Sequence, residues 1–196
     1  MSSLNQSIKG AVLVDYRSNP IALPPTFLTT PPATKPTYQS INFGQHDLPE
    51  FKTCTAFTID NVLSPDECKE LIRLAELSVY REDESESPWR PAMVAFGAGW
   101  EVSMKDYRNS DRIIWDRQEV ADRILARCLL ADGVSEIIST KEDFNRGNGH
   151  WKLHSLNERL RFLKYTEGQF FKRKKPQAAS KEVYCGLTST LCSPLR

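Results

Sequence analysis

Seven of the twelve prolines fall within the first fifty residues: Pro20, Pro24, Pro25, Pro31, Pro32, Pro36 and Pro49. Each fixes φ and removes a backbone donor, so a stretch this rich in proline opposes both helix and sheet ladders. Residues 1–50 are therefore expected to be a disordered, Pro-rich lead-in, with order beginning near Cys54 to Asp60. The 196 residues, 40% hydrophobic and 26% charged, suffice for one ordinary globular domain and a tail. The longest apolar stretch near the start, Ala11 to Val14, is far shorter than the ~20 residues of a membrane helix, and it is too short for an export signal. Five widely spaced cysteines (Cys54, Cys68, Cys128, Cys185, Cys192) form no C-x-x-C pair. They read as free thiols in a reducing compartment, cytoplasmic or nuclear. A formal net charge of +1 supplies no field for nucleic acid or an anionic membrane, so neither is an expected partner.

Periodicity places the elements. Phe57 and Ile59 alternate with Thr58 and Asp60, as in a half-buried strand. Ser64-Pro65-Asp66-Glu67 combines an N-cap serine, a proline at the first helical position and a glutamate three residues after the cap. A helix is expected from there to about Tyr80, burying Cys68, Leu71, Ile72, Ala75 and Val79. Arg81 to Glu86, with Ser85 and Ser87, reads as an acidic surface loop. Ala92 to Phe96 reads as a short strand before the Gly97-Ala98-Gly99 break. Asp116 and Glu119 suggest a capping box for a second helix with Val120, Ile124, Cys128 and Leu129 on its apolar stripe, ended by Asp132-Gly133. In Glu158 to Tyr165, Leu160 and Phe162 share one face while Arg159, Arg161 and Leu163 share the other, which is strand spacing. Gly168 suits a turn, and Gln169-Phe170-Phe171 suits a following strand.

Three segments in this order resemble the prolyl 4-hydroxylase-like dioxygenases: Phe57 to Cys68, Tyr107 to Arg112 and Leu156 to Phe171. The likeness covers residues 54–172, and Arg161 to Phe171 is its most specific part. It implies an α+β fold in which N-terminal helices support a double-stranded β-helix, or jelly roll. It also implies an oxidoreductase that couples oxidation of 2-oxoglutarate to hydroxylation of a protein or peptide substrate, with Fe(II) and ascorbate. Family members hold iron with H-x-D and a later histidine, a facial triad that leaves coordination positions open. A family tyrosine nine residues before the first histidine contacts 2-oxoglutarate, and Tyr165 holds that place.

From there the match fails. Lys174 and Pro176 stand where histidine and aspartate are expected, and no histidine follows His154. A lysine ammonium repels a cation and proline has no side-chain donor, so these cofactors are not expected to bind. A jelly roll has eight strands, and the seven still due after Tyr165 need on the order of 60 residues. Only 31 residues follow Tyr165. The jelly roll is thus expected to be incomplete: residues 51–172 form the N-terminal part of the domain and 173–196 an unrelated, disordered tail. A gene-model error, a retained intron or a splice variant departing after Lys172 would produce this pattern.

The remaining candidates have plainer explanations. His150 and His154, with Glu158, are spaced for a helical metal face, but two histidines do not close a site. His46-Asp47 is read as incidental, and Lys172 to Pro176 as a solvated basic tail rather than a nuclear-import signal or a phosphate-contacting patch. The resemblance would make Tyr107 to Arg112 and Trp115 pocket-wall residues, but a strand end rich in hydrogen bonds explains them equally well, and they receive no role. Two alternatives to the enzyme fragment stand beside it: a non-catalytic interaction protein presenting its proline-rich N-terminus, and an unstable truncated product with an exposed sheet edge.

Overall fold

A computed structural model describes residues 10–46, 48, 56–97, 99–139, 141–143, 149–151 and 155–172. In chain order these residues form β1 (Ala11–Leu13), β2 (Thr37–Ser40), a 3₁₀ turn (Phe43–His46), β3 (Phe57–Asp60), α1 (Pro65–Ser78), β4 (Arg90–Pro91), β5 (Val94–Gly97) and β6 (Trp100–Val102). They continue with β7 (Arg108–Asn109), β8 (Asp111–Asp116), α2 (Gln118–Cys128), α3 (Val134–Ser139), β9 (Lys141–Asp143), β10 (Gly149–Trp151), β11 (Arg159–Lys164) and β12 (Phe170–Phe171). The fold is mixed, with three α-helices and several small sheets whose strand pairs are all antiparallel among the described residues. No helix among them is long and apolar enough to cross a membrane. The chain divides into two compact units interleaved in sequence.

The first unit draws on residues 10–22, 71–116 and 159–172. One sheet has the order β1-β6-β5 and another β11-β8-β4. β11 runs against β8 from Arg159↔Asp116 to Lys164↔Asp111, and pairing resumes where Phe170 meets Asn109 in β7. Residues 165–169 therefore loop out opposite the single residue Ser110. That loop needs a left-handed position, which Gly168 supplies at φ 78°. Gln169 N–H donates to the Thr166 carbonyl (3.0 Å) and closes it. Leu160 and Phe162 are half-buried while Arg159, Arg161 and Leu163 are exposed, as the alternation requires. Leu74, Ala75, Ile113 and Trp115 are among the unit's buried residues.

The second unit draws on residues 23–70 and 117–158. β2 pairs with β3, and Tyr38 meets Phe57 with ring centroids 5.4 Å apart. The capping box forms at the head of α1: Ser64 N–H donates to Glu67 Oε2 (2.8 Å), and Glu67 N–H donates to Ser64 Oγ (3.2 Å). Val120, Ala121, Cys128, Ala131 and Val134 are buried. Arg127 is buried as well, at 3% exposure.

Several expectations change. The lead-in is not free of structure: it contributes β1, β2 and the 3₁₀ turn, and Phe27 and Leu28 are buried. Leu28 has φ 58°, unusual for a bulky residue. It is bracketed by carbonyls that Arg123 and Arg127 hold, those of Phe27 and Thr30. Asn19 serves the end of α1, its backbone N–H donating to the Ser78 carbonyl (2.7 Å) and its amide to those of Leu77 and Val79. Asp116 does not cap α2. It ends β8 and receives both arms of Arg159 across the strand pair (2.8 and 2.7 Å), leaving Arg117 at the N-cap without a side-chain cap bond. The stripe of α2 also differs, since Arg127 is buried while Leu129 and Leu130 are 40% and 41% exposed. α3 follows Gly133, where no helix is expected from the sequence.

Candidate functional site

Two neighbouring sets of groups in the first unit carry chemistry. The first is built on Arg112 of β8. A charged group at a strand position that is otherwise Ile113, Ile114 and Trp115 has to be paired, because burying it alone is costly. Glu101 of β6 supplies the pair at 2.6 Å, with the two side chains 7% and 11% exposed. Tyr16 completes a triangle: its O–H donates to Glu101 while Arg112 donates to the Tyr16 oxygen, and the guanidinium also donates to the Met93 carbonyl (3.3 Å). Burial pushes the Tyr16 phenol up, and the hydrogen bond to Glu101 adds to the rise. The phenol therefore stays protonated at neutral pH and acts as a donor, not a base. An open cleft of about 540 Å³ lies beside this triangle, lined in part by Tyr16, Arg17, Arg90, Met93, Arg112 and Ile113.

The second set surrounds Arg108 and Ser110. Arg108 lies in β7 and Ser110 in the one-residue break before β8. Arg108 is half-buried and stacks on Phe171, Cζ lying 4.9 Å from the ring centroid, while Tyr107 meets the same ring edge-on at 5.4 Å. Neither Arg108 Nε nor Ser110 Oγ, both buried, has a hydrogen-bond partner among the described residues. Ser110 is only 3% exposed. Burial holds the Arg108 guanidinium below its usual range, Arg112 and Arg161 lower it further, and Tyr165 and Glu101 act in the opposite sense.

Tyr165 follows β11 at the start of the loop-out and is 45% exposed. Arg161 is exposed too, its one described hydrogen bond a long contact of 3.5 Å to the Arg159 carbonyl. Lys174, Pro176 and His154 lie outside the described residues, as does the His150 side chain. Cys68 and Cys128 are free thiols, both pushed up by burial. Among the described residues no three His, Cys, Asp or Glu side chains gather as a metal set. The sequence reading singled out the segment Tyr107 to Arg112, which contains Arg108 and Ser110, but gave it no role. Comparison with protein-family models, curated proteins and solved structures gave no match.

Proposed function

We propose that this chain carries the leading part of an iron(II)- and 2-oxoglutarate-dependent dioxygenase domain of the prolyl 4-hydroxylase-like kind. One observation supports the reading most. Two of the three segments that carry the resemblance, Tyr107 to Arg112 and Leu156 to Phe171, lie strand against strand through β8–β11 and β7–β12. That pairing presents Tyr165 at the strand end, where a cosubstrate contact is expected. On this reading the antiparallel sheets of the first unit begin a double-stranded β-helix.

The residues at the iron positions do not fit the metal. An ammonium at Lys174 repels Fe(II) and Pro176 offers no donor atom, so no catalytic step is assigned to this chain. The purified protein should bind Fe(II) no better than a control peptide and should release no succinate from 2-oxoglutarate. Measurable turnover would refute the inactive assignment. Sequencing transcripts across the Lys172 codon tests the family reading itself: a frame encoding His-x-Asp is expected, and its absence from every frame would overturn it.

The rival reading, a proline-rich ligand for a partner domain, has a geometric cost. Pro31, Pro32 and Pro36 line a shallow cleft of about 390 Å³ with Leu130. The segment before it is tied down, since Arg127 binds the Thr30 carbonyl at 2.8 and 3.1 Å. Loss of a partner on deleting residues 20–36 would favour the rival.

A further inference from the structure

We infer that Arg108 and Ser110 form a binding site for an oxyanion, a carboxylate or phosphate group, with Arg161 supplying further positive charge. Buried donors are almost always paired, and a buried orphan calls for an explanation. Here two orphans, Arg108 Nε and Ser110 Oγ, lie two residues apart, Arg108 in β7 and Ser110 in the one-residue break before β8. Both present N–H or O–H donors, which suits an acceptor-only ligand.

Charge points the same way. Arg108 makes no ion pair with any described residue. Glu101 is engaged by Arg112 and Asp116 by Arg159. Neither Arg108 nor Arg161 therefore has a carboxylate at ion-pair distance among the described residues. Arg108 lies over the Phe171 ring, its Nε is left unsatisfied, and a guanidinium in this state can take an oxyanion through N–H bonds. The inference stands on the orphaned groups and not on the dioxygenase reading, so either can fail alone.

The test titrates the full chain with inorganic phosphate and, separately, with succinate, at constant ionic strength set with chloride. Calorimetric binding and the thermal midpoint are followed together. Saturable binding that raises the midpoint is expected for at least one probe: phosphate alone identifies a phosphate-type ligand, and succinate alone a carboxylate-type one. Arg108→Gln should weaken binding about tenfold or more, the scale of one charge-assisted hydrogen bond. Arg161→Gln, at an exposed position that folding does not need, should weaken it severalfold. No saturable binding by either probe, a chloride control that matches them, or affinities unchanged in both variants would overturn the site.

Discussion

Arg127 and Arg108 are the same residue withdrawn from water in two different units, and the protein treats them in opposite ways. All five N–H groups of Arg127 are used: Nε and Nη2 reach the Thr30 carbonyl, Nη1 reaches the Val62 carbonyl (3.1 Å), and Nη1 and Nη2 grip the Glu67 carboxylate at 2.9 and 2.7 Å. Arg108 has an aromatic ring beneath it and no hydrogen-bond acceptor among the described residues. A fully satisfied buried guanidinium ties distant stretches of chain into one unit. An unsatisfied one is a cost held in reserve for something outside the protein. Burial alone does not separate a structural arginine from a functional one; the count of accepted donors does.

Removing the satisfied group should have the largest effect. Arg127→Met strands the Glu67 carboxylate and three carbonyl bonds, and should cost about 3 kcal/mol or more in chemical denaturation. Loss below about 1 kcal/mol would break the comparison. Next is Glu67, whose carboxyl is held down to about 2, first by the Arg127 hydrogen bond and then by Ser64, against an opposing contribution from burial. A depressed carboxyl contributes stability that is complete above its ordinary value of 4.5 and is lost as pH falls toward about 2. Stability should therefore decline through that window, and Glu67→Gln, costing about 2 kcal/mol at neutral pH, should flatten the decline. An equally steep acid slope in the variant would show that other carboxyls dominate. Ser64→Ala, which removes the cap but leaves the ion pair, should cost about 1 kcal/mol. The smallest effect sharpens the contrast most: Arg108→Met should leave the unliganded chain within about 1 kcal/mol of its parent, the lost stacking on Phe171 being offset by relief of an unpaired charge. A loss as large as that of Arg127→Met would make Arg108 structural.

What the sequence revealed depended on how local the cause was. The α1 start was legible because Ser64, Pro65 and Glu67 act within one turn. Asp116 and Glu119 show the same spacing and misled, because Arg159, 43 residues away, claims the aspartate. The β11 strand and the Gly168 turn were legible from alternation and from glycine's access to positive φ. The buried Phe27 and Leu28 were not, since proline signals around them spoke only against regular ladders. Arg127 was hidden for a related reason: an arginine on an α-helix reads as solvated until its acceptors, at residues 30, 62 and 67, are known. Arg108 and Ser110 lay inside a segment marked by resemblance, yet nothing in one chain could say that their partners would be missing.

The loop-out at 165–169 limits how the β8–β11 pairing can err. A strand that slides by one residue turns every side chain to the opposite face. Here such creep would drag Gly168 out of its left-handed position and part Phe170 from Asn109. The bulge works like a knot in a drawstring: the ladder is aligned or it is open, with no half-shifted state in which Arg161 and Leu160 have traded sides.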